Sequence, residues 1–83
     1  MYTVYILYSV SADRFYIGYT GDPVQVRLRK HLAIHKGFTA KQRDWKIVYT
    51  EIHQARQHAL KREKEIKNRK SRRMIEKLIR STE

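Results

Sequence analysis

Two short runs of aromatic and β-branched residues within the first twenty positions constrain the fold most strongly. In the run over residues 2–9, alternate side chains would point to opposite faces of a strand. A polar stretch over residues 9–13 separates this run from a second one around Tyr16. Aromatic and β-branched residues favour strands, so the order of strand, short loop and strand predicts an antiparallel hairpin.

Each run carries a tyrosine, Tyr5 in the first and Tyr16 in the second. If the loop holds an even number of residues, Tyr5 can lie directly opposite Tyr16, and opposed residues of an antiparallel pair project to the same face. Both rings can also simply pack on the sheet, as buried aromatic side chains do. Their meaning therefore depends on the rest of the chain.

A helix from about residue 23 to residue 36 is predicted by its start and stop signals. Asp22 can cap the helix, Pro23 suits the first helical position, and Gly37 is typical of the position just after a helix. Helical spacing places three basic residues of this segment on one strip of its surface: Arg27, Lys30 and His31.

The remaining segments predict one strand and two helices. A polar connector over residues 38–45, with Lys41 and Arg43 as phosphate-binding candidates or as plain solvated cations, leads to a strand over residues 45–50. One helix is expected over residues 52–68, and another from a cap at Ser71 to about residue 80. The spacing of apolar residues in the last helix predicts the side chains that it buries: Met74, Ile75, Leu78 and Ile79.

An acidic residue interrupts the apolar stripe of the helix over residues 52–68. The stripe has helical spacing and consists of Ile52, Ala55, Ala59 and Ile66. Glu63 falls in the gap before its last member, and a carboxylate facing a core is costly unless it is paired or binds a cation. Two interpretations follow: an ion pair with Arg27 or a neighbouring lysine, or a role as the sole protein carboxylate that holds a divalent ion. Mg²⁺ suits the second, because it keeps several waters and completes its shell with phosphate oxygens.

The ordered set of these features resembles the GIY-YIG nuclease family, and especially its small standalone bacterial members. Tyr16-Ile17-Gly18 reproduces the second triplet, while Thr3-Val4-Tyr5 departs from the first but keeps its phenol. In the family, the helix arginine usually lies ten residues after the second tyrosine, a position that Val26 occupies here. Arg27 therefore requires one extra residue in the preceding turn, and Arg29 is the next candidate. The resemblance covers about residues 2–80.

The resemblance implies an α+β fold, with a three-stranded antiparallel sheet flanked by three helices in the order ββαβαα, as a single domain over residues 1–83. It implies a metal-dependent endonuclease that hydrolyses nucleic-acid phosphodiester bonds in DNA repair or recombination. Tyr5 or Tyr16 would act as the general base, Arg27 would stabilise the phosphate, and Glu63 would hold one Mg²⁺ or Mn²⁺ ion. His31 either moves a proton at this site or is a plain surface histidine.

Charge agrees with a nucleic-acid partner. The formal net charge of +11 attracts a phosphodiester backbone, and DNA is preferred over RNA as the substrate. No run is long and apolar enough to span a membrane and no signal segment is visible, so a cytoplasmic protein is expected. We also expect a monomer, with a larger repair complex as a further partner. The alternative is a basic nucleic-acid-binding or repair-recruitment module with little or no nuclease activity. The candidate phosphate-binding residues are Lys30, Lys41, Arg43, Lys61, Lys64, Lys67, Lys70 and Arg73.

Overall fold

The computed structural model describes residues 1–33, 44–69 and 71–81. Three strands form one antiparallel sheet in the order β2-β1-β3, which leaves β1 in the centre. The predicted α+β architecture with element order ββαβαα is confirmed. The elements are β1 (Tyr2–Ser9), β2 (Arg14–Thr20), α1 (Val24–Ala33), β3 (Lys46–His53), α2 (Arg56–Asn68) and α3 (Arg72–Arg80).

The alternation predicted for β1 gives the sheet two buried faces. On one face, Val4 and Ile6 pack with residues of α2 and α3, among them Ala59, Ile66 and Ile75. On the other face, Tyr5 and Leu7 pack with Trp45 and with three residues of α1: Val24, Leu28 and Leu32. The sheet therefore separates α1 on one side from α2 and α3 on the other.

The hairpin register differs from the one expected for the two tyrosines. The last pair, Ser9 with Arg14, leaves a four-residue loop, and this shifts the pairing so that Tyr5 lies opposite Gly18 and Tyr16 opposite Leu7. The direct pairing of Tyr5 with Tyr16 is thus wrong by two positions. Because the shift is even, both tyrosines still project to the same face of the sheet.

One loop residue explains why the hairpin closes with four residues and not with two. Asp13 has a φ of 52°, the left-handed conformation that aspartate tolerates better than most residues. Its carboxylate accepts a hydrogen bond of 2.5 Å from the Tyr8 hydroxyl and forms an ion pair with Arg72 of α3. Arg72 also lies 5.4 Å from the centre of the Phe15 ring. Contacts between distant parts of the chain therefore stabilise this loop.

The boundary between β3 and α2 lies later than predicted. Pairing with β1 continues as far as Tyr2 opposite His53, so β3 extends through Ile52, which is 65% exposed and does not belong to a helical stripe. Ala55 occupies the N-cap position of α2. The apolar spacing at Ile52 and Ala55 was therefore a wrong guide, whereas Ala59 and Ile66 are fully buried as expected.

The N-cap of helix α1 lies one residue later than predicted. The Pro23 carbonyl accepts hydrogen bonds from the Val26 and Arg27 amides, so Pro23 and not Asp22 holds the N-cap position of α1. The predicted end of this helix at residues 36 and 37 falls outside the described residues.

The last helix follows its prediction at its start but not along its whole apolar face. Its cap is confirmed, since the Ser71 hydroxyl accepts a hydrogen bond of 3.4 Å from the Met74 amide. Ile75 and its neighbours Leu78 and Ile79 pack on the core, but Met74 is 43% exposed, because it lies on the flank of the helix. Burial of Met74 was therefore predicted wrongly.

A polar brace fixes α2 against β3. Glu51 of β3 accepts hydrogen bonds from Arg62 Nε at 2.9 and 3.2 Å and from the Tyr49 hydroxyl at 2.5 Å, and it lies 2.6 Å from His53 Nε2. Burial raises the pKa of Glu51, but these hydrogen bonds outweigh it and the net pKa lies below the usual 4.5. Arg62 directly precedes Glu63, so the brace fixes the part of α2 that carries this carboxylate.

Replacing Glu51 by alanine is expected to lower the free energy of unfolding at pH 7 by about 1 to 3 kcal/mol, since three partners lose a half-buried acceptor. A carboxyl group with a lowered pKa contributes stability above its unfolded pKa and loses it as the pH falls through its folded pKa. The difference between wild type and variant should therefore shrink below pH 4.5. Urea denaturation at pH 7 and pH 3 measures this. Glu65→Ala is the control, because Glu65 is exposed and makes one 3.4 Å contact; equal losses in both variants would contradict the brace.

Candidate active site

The side chain of Tyr5 lies across the edge strand of the sheet. It starts on the central strand β1, is 1% exposed, and passes directly over Gly18 of β2. A Cβ atom at position 18 would lie 2.6 Å from the Tyr5 hydroxyl oxygen. The ring of Tyr16, two positions earlier on β2, stacks beside it with centroids 6.5 Å apart. The two phenols therefore form one aromatic pair, and Gly18 makes room for it.

Replacing Gly18 by alanine should displace Tyr5, because the new methyl group would also lie 2.8 Å from the ring carbon Cζ and the buried ring has little room to move. Overpacking of this kind should lower the free energy of unfolding by about 1 to 3 kcal/mol. Chemical denaturation of the variant and the wild type measures this difference. Gly21→Ala is the matched control, since its Cβ would come no closer than 3.2 Å to the ring of Tyr2. A Gly18→Ala protein as stable as the control would show that Tyr5 does not need this space.

Arg27 joins the tyrosine pair from α1. Its Nε donates a hydrogen bond of 3.3 Å to the Tyr5 hydroxyl, and this bond raises the pKa of Arg27 above its already high value. The contact places Arg27 beside the phenol of Tyr5, as the alignment with one extra residue in the preceding turn requires. Arg29, the other candidate, is exposed.

Glu63 belongs to α2, which covers the opposite face of the sheet. It lies on the core-facing side of α2, is 9% exposed as a residue, and its Oε1 is 2.8 Å from Lys67 Nζ one turn later. Its negative charge is among the influences that raise the pKa of Tyr5. The predicted burial of Glu63 is confirmed, and of the ion pairs that the sequence allowed, the one with a neighbouring lysine is present.

The environment of Tyr5 determines its protonation. Burial raises the pKa of Tyr5, and the hydrogen bond and charge of Arg27 only partly oppose this, so the net pKa lies above 10. Tyr5 is therefore a neutral phenol at neutral pH. To act as a base near neutral pH, Tyr5 would need neighbouring charges that lower its pKa, and Arg27 does not achieve this because burial outweighs it.

The residues present can accommodate a divalent ion with few protein ligands. In residues 1–33, 44–69 and 71–81, no group of three or more His, Cys, Asp and Glu side chains is close enough to hold a metal. Glu63 supplies one hard oxygen donor within electrostatic reach of Tyr5, the residue that Arg27 contacts. One carboxylate with water and substrate oxygens is a normal ligand set for Mg²⁺, so the site fits the ion expected from the sequence.

The other predicted site residues are dispersed. Lys30 is exposed and lies 3.5 Å from Asp22, and Lys67 is engaged by Glu63. His31 is in α1, but its side chain lies outside the described part, as do Lys41, Arg43 and Lys70. Three further candidates are exposed on the helices that cover the other face of the sheet: Lys61, Lys64 and Arg73.

Two contributions to the site were missed in the sequence. Gly18 was used only as part of a triplet, although its missing side chain is what admits the Tyr5 ring. The brace between Glu51 and Arg62 was not foreseen, since the residues are eleven positions apart on different elements. The sequence does show an acidic residue in a predicted strand and an arginine next to Glu63. Their spacing alone does not predict that Glu51 and Arg62 form a hydrogen bond.

Comparison with known proteins agrees with this arrangement. The α+β fold with element order ββαβαα is that of a nuclease-type catalytic domain. Residues 1–77 match the family model described as the GIY-YIG catalytic domain, and the chain belongs to the GIY-YIG family. Neither the curated proteins nor the solved structures compared with it gave a match. Within the described residues, no helix is both long and apolar enough to cross a bilayer.

Proposed function

We propose that this protein is a metal-dependent endonuclease that hydrolyses phosphodiester bonds of DNA, with DNA repair or recombination as its setting. The observation that supports this most directly is the 3.3 Å contact of Arg27 with the Tyr5 hydroxyl, beside Tyr16 and within electrostatic reach of Glu63. These residues come from four different elements, and binding alone would not require a buried carboxylate among them.

Arg27 binds the scissile phosphate in this proposal. Its guanidinium remains charged at every physiological pH and presents several donors in one plane, a geometry that matches phosphate oxygens. The hydrogen bond to Tyr5 orients the guanidinium. Because Tyr5 packs tightly over Gly18, its hydroxyl has little room to move, and this limits the movement of the guanidinium as well. Preorganised donors of this kind stabilise the negative charge that develops on the phosphate in the transition state.

Tyr16 is the better candidate for the general base. A base must reach the attacking water, and Tyr16 is partly exposed whereas Tyr5 is almost completely buried. The raised pKa of Tyr5 also favours its neutral form, which suits a residue that orients Arg27. Tyr5 is therefore a positioning group and Tyr16 accepts the proton of the water.

Glu63 would hold one Mg²⁺ or Mn²⁺ ion. The chemistry such an ion would supply there is positive charge that stabilises the phosphate and the leaving oxygen. Lys67 Nζ lies 2.8 Å from Oε1 and is the partner of this carboxylate among the ion pairs of the described residues. Its exposed ammonium group can turn towards a phosphate when the carboxylate takes a new partner.

The test is incubation of the purified protein with flap, nicked, branched and linear DNA, and with matching RNA, with Mg²⁺, Mn²⁺ or EDTA. Cleavage of at least one DNA substrate that requires the divalent ion is expected. Binding to every substrate without cleavage at any would contradict the proposal and would favour a nucleic-acid-binding or repair-recruitment module. Gel filtration with light scattering tests the monomer and pull-down with cell extract tests a larger complex.

A further inference from the structure

A basic surface lies on the other side of the sheet from Tyr5, Tyr16 and Arg27, which we call the tyrosine site. Helices α2 and α3 cover the face of the sheet that carries Val4 and Ile6, whereas Tyr5 and its contact with Arg27 are on the α1 side. The sides of α2 and α3 that face away from the sheet carry five exposed cations. We call them the outer helical surface: Lys61, Lys64, Arg73, Lys77 and Arg80.

The charges of this surface are not neutralised by neighbouring acids. In the part of the chain that the structure describes, none of the five cations forms an ion pair, while other basic residues of the same helices do. The helix acids Glu65 and Glu76 are bonded to Arg62 and Arg72. The structure therefore divides a continuous basic stretch of sequence into paired cations that stabilise the fold and unpaired cations that face solvent.

The unpaired cations of α3 form a line. Arg73, Lys77 and Arg80 are four and three positions apart, opposite the buried side of the helix that carries Ile75 and Ile79. At a rise of 1.5 Å per residue they span about 10 Å. This is the axial length of about three nucleotides of one strand at 3.4 Å each. The line therefore matches a short stretch of phosphodiester backbone in charge and in length.

One straight duplex cannot contact both the tyrosine site and the outer helical surface. The two face different sides of a molecule of about 30 × 28 × 23 Å. Bending a duplex of 20 to 30 base pairs by 40 to 90° costs about 1 to 6 kcal/mol. A second segment of nucleic acid would reach the outer helical surface without that cost.

We propose that the outer helical surface binds the phosphates of a second nucleic-acid segment while the tyrosine site holds the segment to be cut. This rests on the proposed function for the first segment only. The protein would thus bridge two arms of a branched substrate or two separate duplexes. The contact is with backbone, so it does not depend on base sequence.

The experiment measures bridging without cleavage. Full-length protein carrying Glu63→Gln, without divalent ions, is added to a duplex fixed on beads and to a second, fluorescent duplex. Arg73→Gln/Lys77→Gln removes two charges from the outer helical surface, and Arg14→Gln/Lys46→Gln removes two exposed charges elsewhere. We expect the first pair to lower capture of the fluorescent duplex at least about tenfold and the control pair less than about twofold. Binding of a single duplex should fall less than about threefold in both.

The outcomes separate the proposal from its alternatives. Equal capture by both double variants, or no capture by the parent protein when the fixed duplex is saturated, would overturn it. Loss of binding to vesicles containing phosphatidylserine without loss of DNA capture would also overturn it, and would assign the surface to an anionic membrane. Light scattering must show a monomer, since bridging by a dimer would contradict it. Absence of cleavage by the wild-type protein would contradict the proposed nuclease function. It would not affect the capture measurement, which is made without cleavage.

Discussion

Replacing Glu63 by glutamine will abolish divalent-dependent cleavage while DNA affinity stays the same or rises slightly. The amide has the same shape as the carboxylate but cannot supply a negative oxygen, so position 63 would no longer hold a divalent ion. Stabilisation of transition-state charge by a bound ion is worth several kcal/mol, which corresponds to a loss of about 100-fold or more in the rate of cleavage. DNA affinity should not fall, because the substitution removes a negative charge that repels the phosphates and leaves the basic residues unchanged.

Single-turnover cleavage with protein in excess measures the rate, and fluorescence anisotropy measures the affinity. Glu65→Gln is the matched control: the residue lies two positions away on the same helix, is exposed, and forms an ion pair with Arg62. Its rate should stay within about twofold of wild type. Glu63→Gln protein that cleaves at a wild-type rate would exclude Glu63 as the metal ligand and leave only its ion pair with Lys67.

Replacing Arg27 by lysine should reduce the rate of cleavage by about 100-fold or more, although the positive charge is retained. Lysine offers a compact ammonium group in place of a planar fork, so it cannot bond to Tyr5 and to two phosphate oxygens in the same geometry. Loss of one preorganised donor of this type costs about 100- to 1000-fold in other enzymes. The pH profile should keep its shape, since the arginine does not titrate in the working range.

Arg29→Lys is the control for this effect, because it makes the same chemical change on the same helix at an exposed position. Thermal unfolding should place both variants close to wild type, so that a lower rate reports chemistry and not folding. A tenfold or greater loss in Arg29→Lys together with a normal rate in Arg27→Lys would move the phosphate-binding role to Arg29 and would contradict the meaning given to the Tyr5 contact.

These two variants test different parts of one site. Glu63 comes from α2 and Arg27 from α1, on opposite sides of the sheet. Both act on the Tyr5 hydroxyl, which lies over Gly18: Arg27 donates a hydrogen bond to it, and the charge of Glu63 contributes to its raised pKa. If both variants lose cleavage and keep DNA binding, the site acts as a unit. Effects within such a unit are not additive, so the double variant should be little worse than either single one.

Much of the local structure was determined by the sequence itself. The alternation over residues 2–9 predicted a strand with two different faces, and Ser71 predicted the start of the last helix, because both depend on neighbours within a few positions. Helical spacing also identified Glu63 as a carboxylate on a core-facing position, which is where it lies. Periodicity and caps are local properties, and local properties can be read from the chain alone.

Only the tertiary structure decided how these elements meet. The loop at Asp13, held by Arg72 from the far end of the chain, set Tyr5 opposite Gly18 instead of Tyr16. Pairing of β3 with β1 took Ile52 out of the predicted helix. Through-space pairing also determined which cations stabilise the fold and which remain exposed, because an ion pair depends on the distance between side chains and not on their separation in sequence.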